Sequence, residues 1–220
     1  MKRVAVFLSG RGSNMVALVQ ACKEGRAEAK VALVVSNDKS APGLEKAKNL
    51  GIATEVVARA DFPSKAEQEH RMVELLRAWR IEGVCLAGFM QIVGPTLLNA
   101  CPNRILNIHP SLLPAFPGLK PQAQALAYGV KVSGCTVHFV DEGVDSGPTI
   151  IQAAVPVLED DTEEALSSRI LQKEHEIYPL ALDWFAKGLL ELEGRRVTLK
   201  GGDALKGLPP EGFWWPGLAG

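Results

Sequence analysis

Cysteine is scarce in this 220-residue sequence. The four cysteines form no CxxC pair and lie far apart, at Cys22, Cys85, Cys101 and Cys135. This spacing argues against a disulfide framework and against a structural zinc site. The pattern therefore favours a protein of a reducing compartment.

Long apolar runs are also missing. No stretch approaches the ~20 apolar residues that a membrane-spanning helix needs. The apolar run at residues 4–8 is too short for a signal peptide, and Arg11 follows it closely. We expect a cytoplasmic protein with no membrane partner.

Neither sign of charge is in excess, since 24 lysines and arginines stand against 25 aspartates and glutamates. A net charge of −1 argues against a nucleic-acid partner held by phosphate neutralisation. Hydrophobic residues make up 47% of the chain, enough for a sizeable core. The length predicts a single catalytic domain over residues 1–200, followed by a Gly/Pro/Trp-rich tail over residues 201–220.

The motifs GxSxG, HExxH and GxxxxGK[ST] do not occur in the sequence. Serine hydrolases, zinc proteases and P-loop nucleotidases therefore have no support.

Apolar, β-branched runs alternate with helical stretches in the first half of the chain. The runs fall at residues 4–8, 31–35, 52–57, 84–87 and 104–108. This alternation predicts an α/β fold, Rossmann-like, with a mostly parallel twisted sheet and helices on both faces. Residues 132–140 and 149–157 are joined by a short loop and could pair antiparallel.

The last long helix has a predicted start and a predicted weak point. Asp161 and Glu164 are placed to cap its first turn. Pro179 lies inside it and is expected to kink or break it.

The first strand runs into a turn containing Gly10 and Gly12. Glycine permits close backbone approach, Ser13 and Asn14 are expected to cap the next helix, and a helix N-terminus favours an anion. The third glycine of a dinucleotide fingerprint is missing, since Met15 stands there. From these residues alone, an anion site and an ordinary tight turn are equally supported.

Asn107 and His109 lie two residues apart at a predicted strand end, so their side chains point the same way. An amide beside an imidazole suits stabilisation of an oxyanion with proton transfer close by. The plainer alternative is a histidine satisfied within a turn. The prolines that follow, Pro110 and Pro114, fix the loop and favour the functional interpretation.

A loop rich in carboxylates follows the strand at residues 132–140. Asp141, Glu142 and Asp145 could bind Ca²⁺, orient a histidine or be solvated, and the missing EF-hand pattern argues against metal. We expect His138 to be packed and His70 to be exposed without a role. His175 and its neighbour Glu174 fit a surface pair.

Together these sites resemble the folate-dependent formyltransferases. The resemblance rests on Asn107-x-His109-Pro110-Ser111-Leu112-Leu113-Pro114 and on Asp145-x-Gly147-Pro148, some 36 residues on. Three further segments restrict this resemblance to the members of the family that formylate glycinamide ribonucleotide in purine synthesis. They are residues 9–14, 86–90 and 174–179. The resemblance implies a Rossmann-like fold of formyltransferase type, 10-formyltetrahydrofolate as formyl donor and no metal.

The same resemblance implies roles for particular residues. Asn107, His109 and Asp145 are the implied catalytic trio. The implied contacts to the phosphate and ribose of the ribonucleotide are Gly12, Ser13, Asn14 and Glu174. The implied folate contacts are Lys65, Met90, Gln91, Ile92, Val93, Asp141, Glu142, Gly143 and Val144.

Two positions depart from the pattern of that family. Lys120 stands where many members have His, and Gln91 replaces a common Arg. These changes affect how substrates are expected to be held and leave the trio intact.

Other interpretations differ in the acceptor. A hydrolase of formyltetrahydrofolate would use the same site with water as the acceptor of the formyl group. A mononucleotide-binding module without catalytic activity would transfer no formyl group. A formyltransferase acting on methionyl-tRNA is disfavoured, because it normally has a further nucleic-acid-binding domain and this sequence has no basic surplus. We expect small-molecule substrates and either a monomer or a homodimer.

Overall fold

A computed structural model describes residues 1–200 and a two-residue strand, Phe213–Trp214. The chain divides into two compact units, Met1–Asn107 and Ile108–Gly220. Apart from that short strand, the predicted tail over residues 201–220 lies outside the described residues. Among the described residues, no helix has both the length and the hydropathy of a membrane span.

The first unit alternates strands and helices, as the apolar runs predict. Its elements are β1 (Lys2–Leu8), α1 (Ser13–Lys23), β2 (Ala29–Ser36), α2 (Pro42–Asn49), β3 (Ala53–Val56), a 3₁₀ turn (Arg59–Asp61), α3 (Lys65–Ala78), β4 (Gly83–Leu86), α4 (Pro95–Ala100) and β5 (Ile105–His109), which crosses the unit boundary. The short α4 was not predicted from the sequence.

The strands of this unit are all parallel, in the order β5-β4-β1-β2-β3. Residues 4–8 of β1 are buried without interruption, as expected for a strand covered on both faces. Because the strands are parallel, their carboxyl ends share one edge. The turns after β1, β2 and β4 leave from that edge, where open α/β folds bind ligands.

Helix α3 combines a predicted cap with an unexpected buried face. The Ser64 hydroxyl accepts a hydrogen bond from Glu67 N at 3.2 Å, so the predicted cap is confirmed. Gln68 and Glu69 are almost fully buried. The Glu69 carboxylate accepts from Gly94 N at 2.5 Å and Leu97 N at 3.3 Å. Glu69 thereby satisfies backbone donors at the start of α4.

The second unit is built on an antiparallel pair. Its elements are α5 (Pro121–Tyr128), β6 (Val132–Phe139), β7 (Thr149–Pro156), α6 (Glu163–Lys187), β8 (Leu190–Glu193), β9 (Arg196–Leu199) and β10 (Phe213–Trp214). The predicted antiparallel pairing of β6 with β7 is confirmed, and β10 also pairs antiparallel with β7. Helix α6 packs on both β6 and β7, and β8 and β9 form a hairpin.

The predicted capping of α6 was wrong. Thr162 is the cap and accepts from Ala165 N at 3.2 Å. Asp161 instead binds the Arg169 guanidinium through two hydrogen bonds, at 2.7 and 2.8 Å. These bonds hold the pKa of Asp161 at about 2.

Pro179 was predicted to kink or break α6, and the break does not occur. The helix continues to Lys187, and Gly188 follows in the left-handed conformation with φ 70°. Ile177 and Leu182, on either side of the proline, are fully buried. The apolar face that α6 presents to the sheet offsets the backbone hydrogen bond that proline cannot make.

Candidate active site

The turn after β1 is set by close backbone approach. Gly12 has φ 70° and stands at the N-cap of α1, with no side-chain cap. Gly43 N donates to Gly10 O at 2.9 Å, and a Cβ on Gly12 would lie 2.9 Å from Gly43 Cα. The expected capping by Ser13 and Asn14 was wrong, because both are already in the helix. Their position in the first turn is nevertheless where backbone N–H groups favour an anion.

The segment after β4 is held by polar contacts although its apolar side chains are exposed. Met90 is 70% and Ile92 60% exposed. Met90 N donates to the Ser9 hydroxyl at 2.7 Å. The Gln91 side chain exchanges hydrogen bonds with Gln68. The structure thus brings the predicted 90–93 segment to the same sheet edge as the turn after β1.

Lys65 lies close to the end of this segment. Its ammonium is 3.9 Å from the Glu69 carboxylate, which accepts from Gly94 N. Sequence reasoning missed both Gln68 and Glu69, since nothing in a helical pattern shows that a polar residue contacts a loop more than 20 positions away.

In the second unit, His109 is buried between two oxygen acceptors. Its Nε2 is 3.0 Å from Phe116 O, and its Nδ1 is 3.3 Å from Asp145 Oδ2. The same carboxylate oxygen accepts from Gly118 N at 2.8 Å. The structure therefore brings together His109 and Asp145, which are 36 positions apart in the sequence.

His138 lies on the other side of the same carboxylate. Its Nε2 is 3.8 Å from Asp145 Oδ1, and its Nδ1 is 2.8 Å from Phe139 O. Burial lowers the pKa of His138, outweighing the opposing hydrogen bond to Phe139 and the charge of Asp145. The side chain is packed, as predicted, but its contact with Asp145 was not foreseen.

The aspartate loop, residues 141–147, is stabilised at several points. Asp141 Oδ1 accepts from Gly143 N at 3.1 Å and from the Ser146 hydroxyl at 2.6 Å. Asp145 itself has φ 50°, a left-handed conformation that is uncommon among non-glycine residues but more accessible to aspartate than to most. A carboxylate used in this way, within its own loop, favours neither a Ca²⁺ site nor a solvated loop.

Arg195, in the β8–β9 hairpin, supports the aspartate loop from outside. Its guanidinium donates to Ser146 O at 2.6 Å. Arg195 and Asp145 both line a cavity of about 300 Å³. No sequence signal marks this arginine, because its neighbour Arg196 looks equivalent in the sequence.

The proline-rich segment after His109 is fixed by side chains from the antiparallel pair. The Thr136 hydroxyl donates to Ser111 O at 2.7 Å and accepts from Leu113 N at 3.0 Å. Gln152 donates to Leu113 O at 2.9 Å. The rigidity predicted from the prolines is therefore reinforced by β6 and β7.

The remaining predicted site residues are placed separately. Asn107 lies on β5, two positions before His109. Glu174 lies on α6 and is buried, with 6% exposure, so the predicted surface pair with His175 was wrong. Lys120, with φ 53°, precedes α5 at its N-cap. The described residues contain no group of three or more His, Cys, Asp or Glu that could hold a metal.

Comparison with known proteins identifies the family. The model of the formyl transferase family matches residues 2–182. The chain belongs to the formyl transferase family. It is 40% identical to the phosphoribosylglycinamide formyltransferase of Escherichia coli strain K12, over 96% of this chain and 97% of that protein. It is 48% identical to the trifunctional purine biosynthetic protein adenosine-3 of Drosophila pseudoobscura pseudoobscura, over 90% of this chain but only 14% of the relative's length.

Solved structures agree. The chain matches glycinamide ribonucleotide transformylase 1 from Symbiobacterium toebii with a TM-score of 0.88 and 54% identity, covering 90% of this chain and 93% of that one. A phosphoribosylglycinamide formyltransferase from Anaplasma phagocytophilum matches with a TM-score of 0.84 and 42% identity, covering 92% and 96%. The predicted Rossmann-like fold of formyltransferase type and the resemblance to a folate-dependent formyltransferase are confirmed.

The two glycines of the first turn allow a matched test. Gly12→Ala forces a left-handed alanine against Gly43, so we expect a loss of about 1–3 kcal/mol in the free energy of unfolding. A Cβ on Gly10 meets nothing within 4 Å. Gly10→Ala should therefore change the free energy of unfolding by less than about 0.5 kcal/mol. Urea unfolding measures both, and equal effects would contradict the close approach.

The adjacent arginines of the hairpin allow a second test. Arg195→Ala removes the donor to Ser146 O, so amide hydrogen exchange within the aspartate loop should become faster. Arg196→Ala is the matched control and should leave that exchange unchanged. Equal exchange in the two variants would show that the contact does not restrain the loop.

The buried His138 predicts how stability depends on pH. Its pKa lies below the ordinary value of 6.5, so between these two values the unfolded chain binds more protons than the folded chain. The free energy of unfolding should therefore fall as the pH drops through 6.5.

In His138→Gln this fall should be shallower, although not absent, because burial also lowers the pKa of His175. Urea unfolding at about pH 7.5 and about pH 5.5 brackets the ordinary titration range of histidine. Identical slopes in the two proteins would rule out this contribution from His138.

Proposed function

We propose that the chain transfers the formyl group of 10-formyltetrahydrofolate to the amine of glycinamide ribonucleotide. The products are formylglycinamide ribonucleotide and tetrahydrofolate, in a step of purine synthesis. The observation that carries the proposal is the contact of buried His109 with partly buried Asp145, at 3.3 Å, on a chain whose full-length bacterial relatives are named phosphoribosylglycinamide formyltransferases.

The reaction needs a stabilised oxyanion. When the amine of the ribonucleotide attacks the formyl carbon, negative charge collects on the formyl oxygen. Asn107 and His109 occupy alternate positions of one strand, so their side chains leave the same face. We assign them the donation of hydrogen bonds to that oxygen, which develops its charge only in the transition state. His109 would donate from Nε2, exchanging its contact with Phe116 O for the substrate while Nδ1 stays on Asp145.

The reaction also moves a proton from the attacking amine to N10 of the leaving folate. We assign Asp145 to assist this transfer and to keep His109 charged and oriented. Its contact with the imidazole, at 3.3 Å, supports this role. The left-handed backbone and the bond from Gly118 N hold the carboxylate in position.

Substrate binding is assigned to residues that the resemblance marks. For the ribonucleotide, Gly12, Ser13 and Asn14 would take the phosphate, while Glu174 would take the ribose. The start of α1 supports the first assignment, because a helix N-terminus attracts an anion. The folate contacts would be Lys65, Met90, Gln91, Ile92, Val93, Asp141, Glu142, Gly143 and Val144.

A single assay separates this function from its alternatives. The protein is incubated with 10-formyltetrahydrofolate, with and without glycinamide ribonucleotide, and loss of the formyl group is followed optically. We expect turnover only when the ribonucleotide is present. Equal turnover without it would identify a hydrolase, and no turnover in either mixture would leave a binding module.

Asp145→Asn tests the role of the carboxylate. The amide keeps the shape but cannot hold a charged His109 or accept a proton, so kcat should fall on the order of 10²–10³-fold. Tetrahydrofolate binding should persist. Asp161→Asn, the same exchange outside the aspartate loop, should leave kcat unchanged. A near-normal kcat for Asp145→Asn would rule out the assigned role.

A further inference from the structure

A chain of neutral hydrogen bonds links three strand ends to the segment after β4. Its first half starts at Ser9, directly after β1. The Ser9 hydroxyl donates to Asn37 Oδ1 at 2.5 Å and accepts from Met90 N at 2.7 Å. Ser9 N also donates to Gly88 O at 2.9 Å. The backbone on both sides of Phe89 is thereby tied to the end of β1.

The second half runs through two glutamines. Gln91 Nε2 donates to Gln68 Oε1 at 2.7 Å, and Gln68 Nε2 donates to Gln91 Oε1 at 3.1 Å. Asn37 Nδ2 reaches Gln91 Oε1 at 3.4 Å, which joins the two halves. Gln68 Nε2 also donates to Val57 O at 2.8 Å, just after β3.

The position of Gln68 makes these bonds costly to lose. The residue is fully buried, so removing its amide would leave Val57 O and the Gln91 amide without these partners. A buried polar group deprived of its partner loses a hydrogen bond that water cannot replace. The chain of amides is therefore strong enough to determine one conformation of the segment that it contacts.

Packing does not hold residues 90 and 92, because both turn large side chains outward, whereas Val93 is buried. Met90 and Ile92 are mostly exposed, so their burial cannot fix the backbone. The polar chain holds residues 90 and 91, and the Glu69 carboxylate holds Gly94. Exposed apolar side chains on a fixed backbone suit a flat, largely apolar ligand that the segment need not rearrange to accept.

We propose that Gln68, with Asn37 and Ser9, is a positioning residue that holds the 90–93 segment ready for the folate donor. This rests on the function proposed above, in which that segment binds the folate. Gln68 contacts no substrate in this proposal and acts through Gln91. Position 91, where the family commonly has a charged Arg, is here joined to α3 by an uncharged amide pair.

Gln68→Met tests the proposal, because methionine has a similar volume and no amide. We expect KM for 10-formyltetrahydrofolate to rise roughly tenfold. KM for glycinamide ribonucleotide and kcat should stay unchanged. His70→Gln, an exposed change on the same helix, is the matched control and should alter none of these constants. A general loss of structure would affect both substrates, so equal rises in both KM values would overturn the proposal.

Replacing the amide pair of positions 68 and 91 by an ion pair tests whether folate binding can be restored. Gln68→Glu alone places a carboxylate in a buried amide site and should raise the folate KM. Adding Gln91→Lys supplies a cation for it, so the double variant should bind folate better than Gln68→Glu. Additive effects of the two changes would mean that positions 68 and 91 are not coupled, which contradicts the proposal.

Hydrogen exchange keeps this test separate from the test of function. In Gln68→Met and in Asn37→Ala, the Met90 amide should exchange faster, while amides in the middle of β1 stay protected. Unchanged exchange at Met90 would overturn the positioning role even in an active enzyme. If the wild-type protein transferred no formyl group, the proposed function would fail, and faster Met90 exchange would still establish the positioning of the segment.

Discussion

A carboxylate that contacts two imidazoles, one through each oxygen, needs a single fixed orientation for both contacts. In the second unit this carboxylate belongs to Asp145, which is 3.3 Å from His109 and 3.8 Å from His138. Its left-handed φ of 50° is uncommon for a non-glycine residue, although aspartate adopts it more readily than most, and contacts from elsewhere in the unit hold it. Much of the surrounding structure supplies these contacts.

The support comes from parts of the chain that are far apart in sequence. Gly118 donates to the carboxylate from the loop before α5. Arg195 holds the neighbouring Ser146 from a hairpin 49 positions away. Gly147 has no room for a Cβ, which would come within 1.7 Å of Phe139 O, so the end of the loop lies tightly against β6. Each contact restrains the same short segment, and together they position Asp145 against His109 before any substrate arrives.

What the sequence could predict follows from the range of the interactions involved. The strands and most helices were predictable because apolar periodicity is local, and the Ser64 cap needs only four residues. The signature around Asn107, His109 and Asp145 was predictable because it is a short pattern of residue types.

Errors arose where a local rule competed with packing. Pro179 stays within α6 because the helix buries a long apolar face, and Asp161 binds Arg169 instead of capping. The contacts of Gln68, Glu69 and Arg195 join distant positions, so no local pattern contains them.

Formyl transfer itself is the central claim, and the fate of the formyl carbon tests it most directly. The protein is supplied with glycinamide ribonucleotide and with 10-formyltetrahydrofolate that carries ¹³C in the formyl group. The products are then separated, and their masses are measured by mass spectrometry. The account predicts that the label appears on the ribonucleotide in step with the tetrahydrofolate formed. Label recovered as free formate, with an unlabelled ribonucleotide, would contradict it.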